Sequence, residues 1–237
     1  MPDLKEIIEN LNKSANPEKA KILSRFFKTG KGEYGEGDVF LGIVVPNIRK
    51  VAYKFIDADS SDIQKLLKSK IHEYRLTALE ILVAQYERTE DKEDKRKIFE
   101  FYLKNTRYIN NWDLVDLSAS YIVGDYLIDK DRSILYKLCK SESIWERRIS
   151  IISTHRFIKN KEYKDTFKIC EILIEDKHPL IHKATGWMLM EVGKNIGKEI
   201  EKKFLNKNYK VMPRIMLSYA IEHFLIVDKK HYKNNKK

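Results

Sequence analysis

Residues 110–120 read NNWDLVDLSAS, which sets an indole, Trp112, four residues ahead of a carboxylate, Asp116. On a helix that spacing puts both side chains on one face, and the two asparagines before it can supply the helix cap. Neighbouring positive charge keeps a carboxylate ionised. Asp116 is therefore ill suited to act as a general acid. It suits the stabilisation of a cation that forms nearby, or the orientation of a water molecule. Facing a nucleic-acid backbone, such a cation arises at the sugar when an N-glycosidic bond breaks through an oxocarbenium-like transition state. Trp112 offers a π face that attracts cationic or polarised C–H groups, and Arg148 could grip the adjoining phosphate through paired hydrogen bonds. The same residues also fit plainer roles: tryptophan as packing, an aspartate near a helix N-terminus meeting the dipole, and Arg148 as half of an ion pair with Asp116.

The surroundings of Asp116 sharpen the question. A basic residue, a spacer and then Ser or Thr recur as Arg75-Leu76-Thr77, Arg148-Ile149-Ser150 and Lys183-Ala184-Thr185, with a looser Arg214-Ile215-Met216. Asp116-Leu117-Ser118 sits in the same frame with the sign of the charge reversed. Separations of about 41, 32, 35 and 31 residues fall in the range of helical-pair solenoids. In such a superhelix, equivalent positions line one face. Arg75, Arg148, Lys183 and Arg214 would then form a concave basic groove that holds a phosphate backbone by charge and shape. Ordinary solvated helix cations are the competing reading.

The elements that must carry these residues are helical. Segments such as RLTALEILVAQY, KIFEFYL, RRISIISTHRFI and HKATGWMLMEV place apolar residues three and four apart, with short polar breaks between them. Successive helices should therefore pack antiparallel. The expected fold is all-α, a superhelix of stacked antiparallel helix pairs in a single domain over residues 1–228, followed by a basic frayed tail at 229–237. One longer break, residues 28–46, holds five of the nine glycines and reads as a loop with a distinctive path. A net charge of +11 favours a polyanionic partner, nucleic acid before an anionic membrane surface. Cys139 and Cys170 lack close Cys or His partners, which argues against a zinc pattern or a disulfide framework. The acidic, amphipathic start MPDLKEIIENL is unlike a signal peptide and no apolar run approaches membrane-spanning length. A soluble, cytoplasmic protein is expected.

Six segments in order, from FFKTGKGEYGEGDVFLGIVVPNIRKVA through HEYRLTALEILV, NNWDLVD, WERRISII and ATGWMLMEVGK to MPRIMLSYAIEHF, make the chain resemble the AlkD-like DNA alkylation repair family. These are DNA glycosylases built from HEAT-like repeats, and the resemblance runs over about residues 20–225. It implies a Trp-x-x-x-Asp motif at Trp112 and Asp116 rather than Asp113. It places a cleft arginine at Arg148 of WERR, with Arg147 ranked second, and a second cleft tryptophan at Trp187. The implied activity is removal of positively charged alkylpurines, such as N3-methyladenine and N7-methylguanine, from double-stranded DNA, acting on the lesion's sugar and backbone. Such a base leaves without being protonated, which agrees with a site that offers a carboxylate and no evident acid. No lysine nucleophile is evident, so a monofunctional enzyme is expected, monomeric and without metal or organic cofactor. The sequence departs from the family pattern at Met190, where Trp-x-Leu-Arg-Glu is common, and at Ser218, where a later arginine is replaced. Two other readings stay open, a non-catalytic DNA-structure binder on the same fold and a scaffold for acidic peptides.

Overall fold

A computed structural model describes residues 4–234 of the chain. Among the described residues the protein is all-α, with one isolated β-bridge between Val39 and Ile71. The helices are α1 (Leu4–Asn12), α2 (Pro17–Phe26), α3 (Val45–Lys54), α4 (Ser60–Leu67), α5 (His72–Arg88), α6 (Lys92–Lys104) and α7 (Trp112–Asp116). They continue as α8 (Ser133–Cys139), α9 (Ile144–Lys159), α10 (Lys164–Leu173), α11 (Pro179–Asn195), α12 (Lys198–Asn208), α13 (Arg214–Ala220) and α14 (Ile226–Asn234). None is long and apolar enough to cross a membrane.

Helix starts follow local chemistry. Asp59, Asp91 and Ser143 accept backbone N–H groups of the first turns of α4, α6 and α9, satisfying donors that no intrahelical carbonyl can reach. Pro17 and Pro179 sit in first turns, where a missing N–H costs nothing.

The described residues fall into two compact units that meet in sequence between Ile122 and Val123. In the first, α5 is the central element: α3 and α4 pack on it, α6 and α7 contact it, and α1 packs on α3. In the second, α9, α11 and α13 pack in succession, while α8 and α10 pack on α9, and α10 and α12 on α11. Gly186 allows the close approach of α11 and α13, since a Cβ there would lie 2.3 Å from the Met216 carbonyl oxygen.

The recurrent frame marks these packed helices. Thr77, Ser118, Ser150 and Thr185 are all fully buried. Their hydroxyls donate to the carbonyls of Glu73, Leu114, Leu135 and Ile181. The charged residue two positions earlier lies about 200° round the helix, away from that hydroxyl.

Two further stretches are held in place by side chains. The glycine-rich loop is tightly bound within the first unit: the buried Glu73 carboxylate accepts the N–H groups of Leu41, Gly42 and Ile43 at 2.8–3.2 Å. Gly42 has φ +81 and faces the Asn16 carbonyl so closely that a Cβ would sit 2.1 Å from it. The basic run from residue 229 is not frayed as far as Asn234, because α14 is docked. Tyr232 is buried, edge-on to Phe224 and Tyr209, its hydroxyl donating to Asn206 Oδ1 at 2.8 Å. Residues 235–237 of that run lie outside the described residues.

Candidate active site and nucleic-acid contacts

Asn111 caps α7 by accepting the Trp112 N–H at 2.8 Å, as the NN pair suggested. The helix spans five residues, with Trp112 at its start and Asp116 at its end. Both are half-buried, whereas Asp113 between them is buried and tied to His72. Of the two carboxylates, Asp116 is the one with partial access to solvent.

Trp112 is held by aromatic packing. Its ring stacks on Phe27 with centroids 5.1 Å apart and planes at 15°, and meets the edge of exposed Phe26 at 5.8 Å. Phe27 stacks in turn on Phe40, and Phe40 on the His72 ring. The indole is thus fixed from one side by a column of rings, which favours one orientation of its plane.

In the second unit, Arg148 is buried on α9 and its guanidinium donates to the Leu180 carbonyl at 2.6 Å. Trp187 is half-buried on α11, its indole N–H donating to Glu191 at 3.3 Å. Glu191 also accepts from Asn195 and lies 3.6 Å from His155 and 3.8 Å from Lys159. Trp187 is therefore anchored at its polar end, with its ring 6.0 Å from that of His155.

The expected row of cations separates into two kinds. Lys183 and Arg214 are exposed and make no ion pair among the described residues. Arg214 lines an open cavity of about 380 Å³ with Leu217, Ser218 and Lys233, so the serine that stands in place of a family arginine borders two cations. Arg75 is 3% exposed, paired with Asp38 at 2.7 Å and donating to the Ser69 carbonyl. Arg147 is paired with Asp176 at 2.6 Å and donates to the carbonyls of Ser141 and Glu142. Arg75 and Arg147 are thus both held in ion pairs, unlike Lys183 and Arg214. Asp38 and Asp176 already take up their charge. Met190 is 8% exposed, part of the core where the family pattern has an arginine.

Sequence reasoning missed His72, Asp38 and Glu73. Their role depends on the path of residues 38–43, for which the sequence offered only the cluster of glycines.

The fold and these residues define an all-α helical-repeat protein with paired indole and carboxylate side chains on one short helix. A family profile described as "DNA alkylation repair enzyme" matches residues 7–224, and the chain belongs to that family. The fold is similar to that of a "Predicted DNA alkylation repair enzyme from Enterococcus faecalis", with a TM-score of 0.69 and 15% identity, covering 90% of this chain and 98% of the other. No curated protein matches the chain. The protein has a role in DNA alkylation repair, with DNA as its substrate.

Proposed function

We propose that the protein is a monofunctional DNA glycosylase that hydrolyses the N-glycosidic bond of positively charged alkylpurines, N3-methyladenine and N7-methylguanine, in double-stranded DNA. The observation that carries this reading is the half-exposed Asp116 carboxylate at the end of the same short helix that presents Trp112. The bond between the sugar C1′ and the purine nitrogen breaks, and its electron pair goes to the base and cancels the base's positive charge. Positive charge passes to the sugar, where Asp116 stabilises it and orients the water that adds to C1′. The proton of that water passes to solvent. Trp112, with its plane set by Phe27, presents a π face to the polarised C–H groups of the sugar. In the second unit, Arg148, Trp187, Lys183 and Arg214 are the side chains proposed to meet the DNA backbone.

The test is incubation with methylated duplex DNA followed by chromatography of the freed bases. The expected result is free N3-methyladenine and N7-methylguanine, with abasic sites left in uncut strands. Tight duplex binding with no base released would favour a non-catalytic DNA binder. Absence of duplex binding would favour a scaffold for acidic peptides.

A further inference from the structure

Beneath α7 lies a chain of buried charges that the bond-breaking step does not use. His72 is 2% exposed and stands between two carboxylates: Nε2 lies 2.8 Å from Asp113 Oδ2, and Nδ1 lies 3.3 Å from Asp38 Oδ2. The second Asp38 oxygen meets Arg75 at 2.7 Å, and Asn111 donates to Asp38 at 3.3 Å. Asn111 and Asp113 flank Trp112 in sequence, so both neighbours of the indole are tied to this network. A second link is the ring column His72–Phe40–Phe27–Trp112, with successive centroids 4.5, 5.0 and 5.1 Å apart.

A five-residue helix has too few hydrogen bonds to hold its own geometry, so the orientation of Trp112 and Asp116 must be imposed by what α7 packs on. Apolar side chains would fill that space at lower desolvation cost, because buried ion pairs are weak sources of stability. Hydrogen bonds differ from apolar contacts in direction, and direction is what a charge-stabilising site needs, since a misplacement of about 1 Å can cost on the order of a hundredfold in rate.

We propose that His72, clasped by Asp38 and Asp113, is a positioning residue that fixes α7 so that Trp112 and Asp116 meet the sugar in the geometry required for excision. This rests on the glycosylase reading above. Burial by itself would lower the His72 pKa. The charge and hydrogen bond of Asp113 and the hydrogen bond of Asp38 outweigh it and hold the value above that of an ordinary histidine, against the opposing charge of Arg75. With both carboxylates accepting, both ring nitrogens carry protons, and loss of one releases either Asp113 of α7 or Asp38, which holds the α7 cap Asn111.

The test reads Trp112 directly. The chain has three tryptophans, and the Trp112 indole N–H resonance is identified by its loss in Trp112→Phe. In the wild type this resonance should titrate with the His72 ring, at a midpoint above 6.5, and in His72→Gln it should stay fixed. At saturating methylated DNA, His72→Gln should excise on the order of ten- to a hundredfold more slowly, with DNA affinity kept within about twofold. Wild-type excision should slow over the pH range in which the indole titrates. If His72→Gln does not fold, Asp113→Asn, which keeps the shape and an acceptor oxygen, is read in the same two ways. A Trp112 resonance indifferent to His72, or normal excision by the variant, would overturn the inference. Failure of the wild type to release any base would instead overturn the reading of function, and the indole titration would still decide whether His72 governs α7.

Discussion

At the residue scale, two arginines that look alike in sequence differ in what their loss should do. Arg75 is buried against Asp38, and removing one partner of a buried pair leaves an unpaired charge at a cost of about 3–5 kcal/mol. Arg75→Ala should therefore unfold at markedly lower temperature, while the salt dependence of duplex binding in the folded fraction stays as in the wild type. Lys183 and Arg214 are exposed, so Lys183→Ala and Arg214→Ala should leave the Tm unchanged. Each should reduce the slope of log affinity against log salt by about 0.9, one phosphate contact apiece. Thermal melts and duplex titrations at several salt concentrations check both expectations. An Arg75 variant of normal Tm, or unchanged slopes for the other two, would contradict the assignment of structural and phosphate-facing cations. His72 adds a pH dependence: its folded pKa is raised from 6.5. Its contribution to stability is fully present below about pH 6.5 and is lost as pH rises through the folded value. Relative to His72→Gln, the wild type should lose Tm above pH 6.5.

At the scale of elements, α12 carries a charge problem of its own. Glu201 is fully buried, and desolvation lifts its pKa to about 9 in spite of Lys198 and Lys194. His223 lies 3.2 Å away, and burial together with Lys194 and Lys198 lowers its pKa, so at neutral pH the two meet as a neutral acid and a neutral imidazole. The folded state therefore holds a proton that the unfolded chain releases above about 4.5, and stability falls as pH rises from there to about 9. Glu201→Gln should remove that slope and raise the Tm at pH 8 by at least about 2–4 °C, equivalent to about 1 kcal/mol or more. A melt at pH 8 no higher than that of the wild type would contradict this. The helices themselves were legible in the sequence because apolar residues recur at helical spacing. The repeat frame was legible because its third position is a buried hydroxyl in four of its five occurrences. The pairing of Arg75 and Arg147 was not, because Asp38 and Asp176 reach them from distant segments. Nor was the docking of α14, since its composition is that of a solvated end and the partners of Tyr232 and Asp228 lie on distant segments.

At the scale of the whole molecule, an excess of 11 positive charges supplies attraction to duplex DNA without selecting a lesion. Selection must come from chemistry, and the centre proposed for it is Trp112 and Asp116 on α7, set on the His72 network. That pairing was legible from the four-residue spacing, and the support beneath it was hidden in the fold of residues 38–43. The most direct measurement compares single-turnover base release and duplex affinity for wild type and Asp116→Asn on the same methylated DNA. Asp116→Asn should bind within about twofold of the wild type and release alkylpurine about a hundred- to a thousandfold more slowly, the usual cost of losing one electrostatic partner of a transition state. Base release at the wild-type rate would contradict the claim that this carboxylate stabilises the sugar cation.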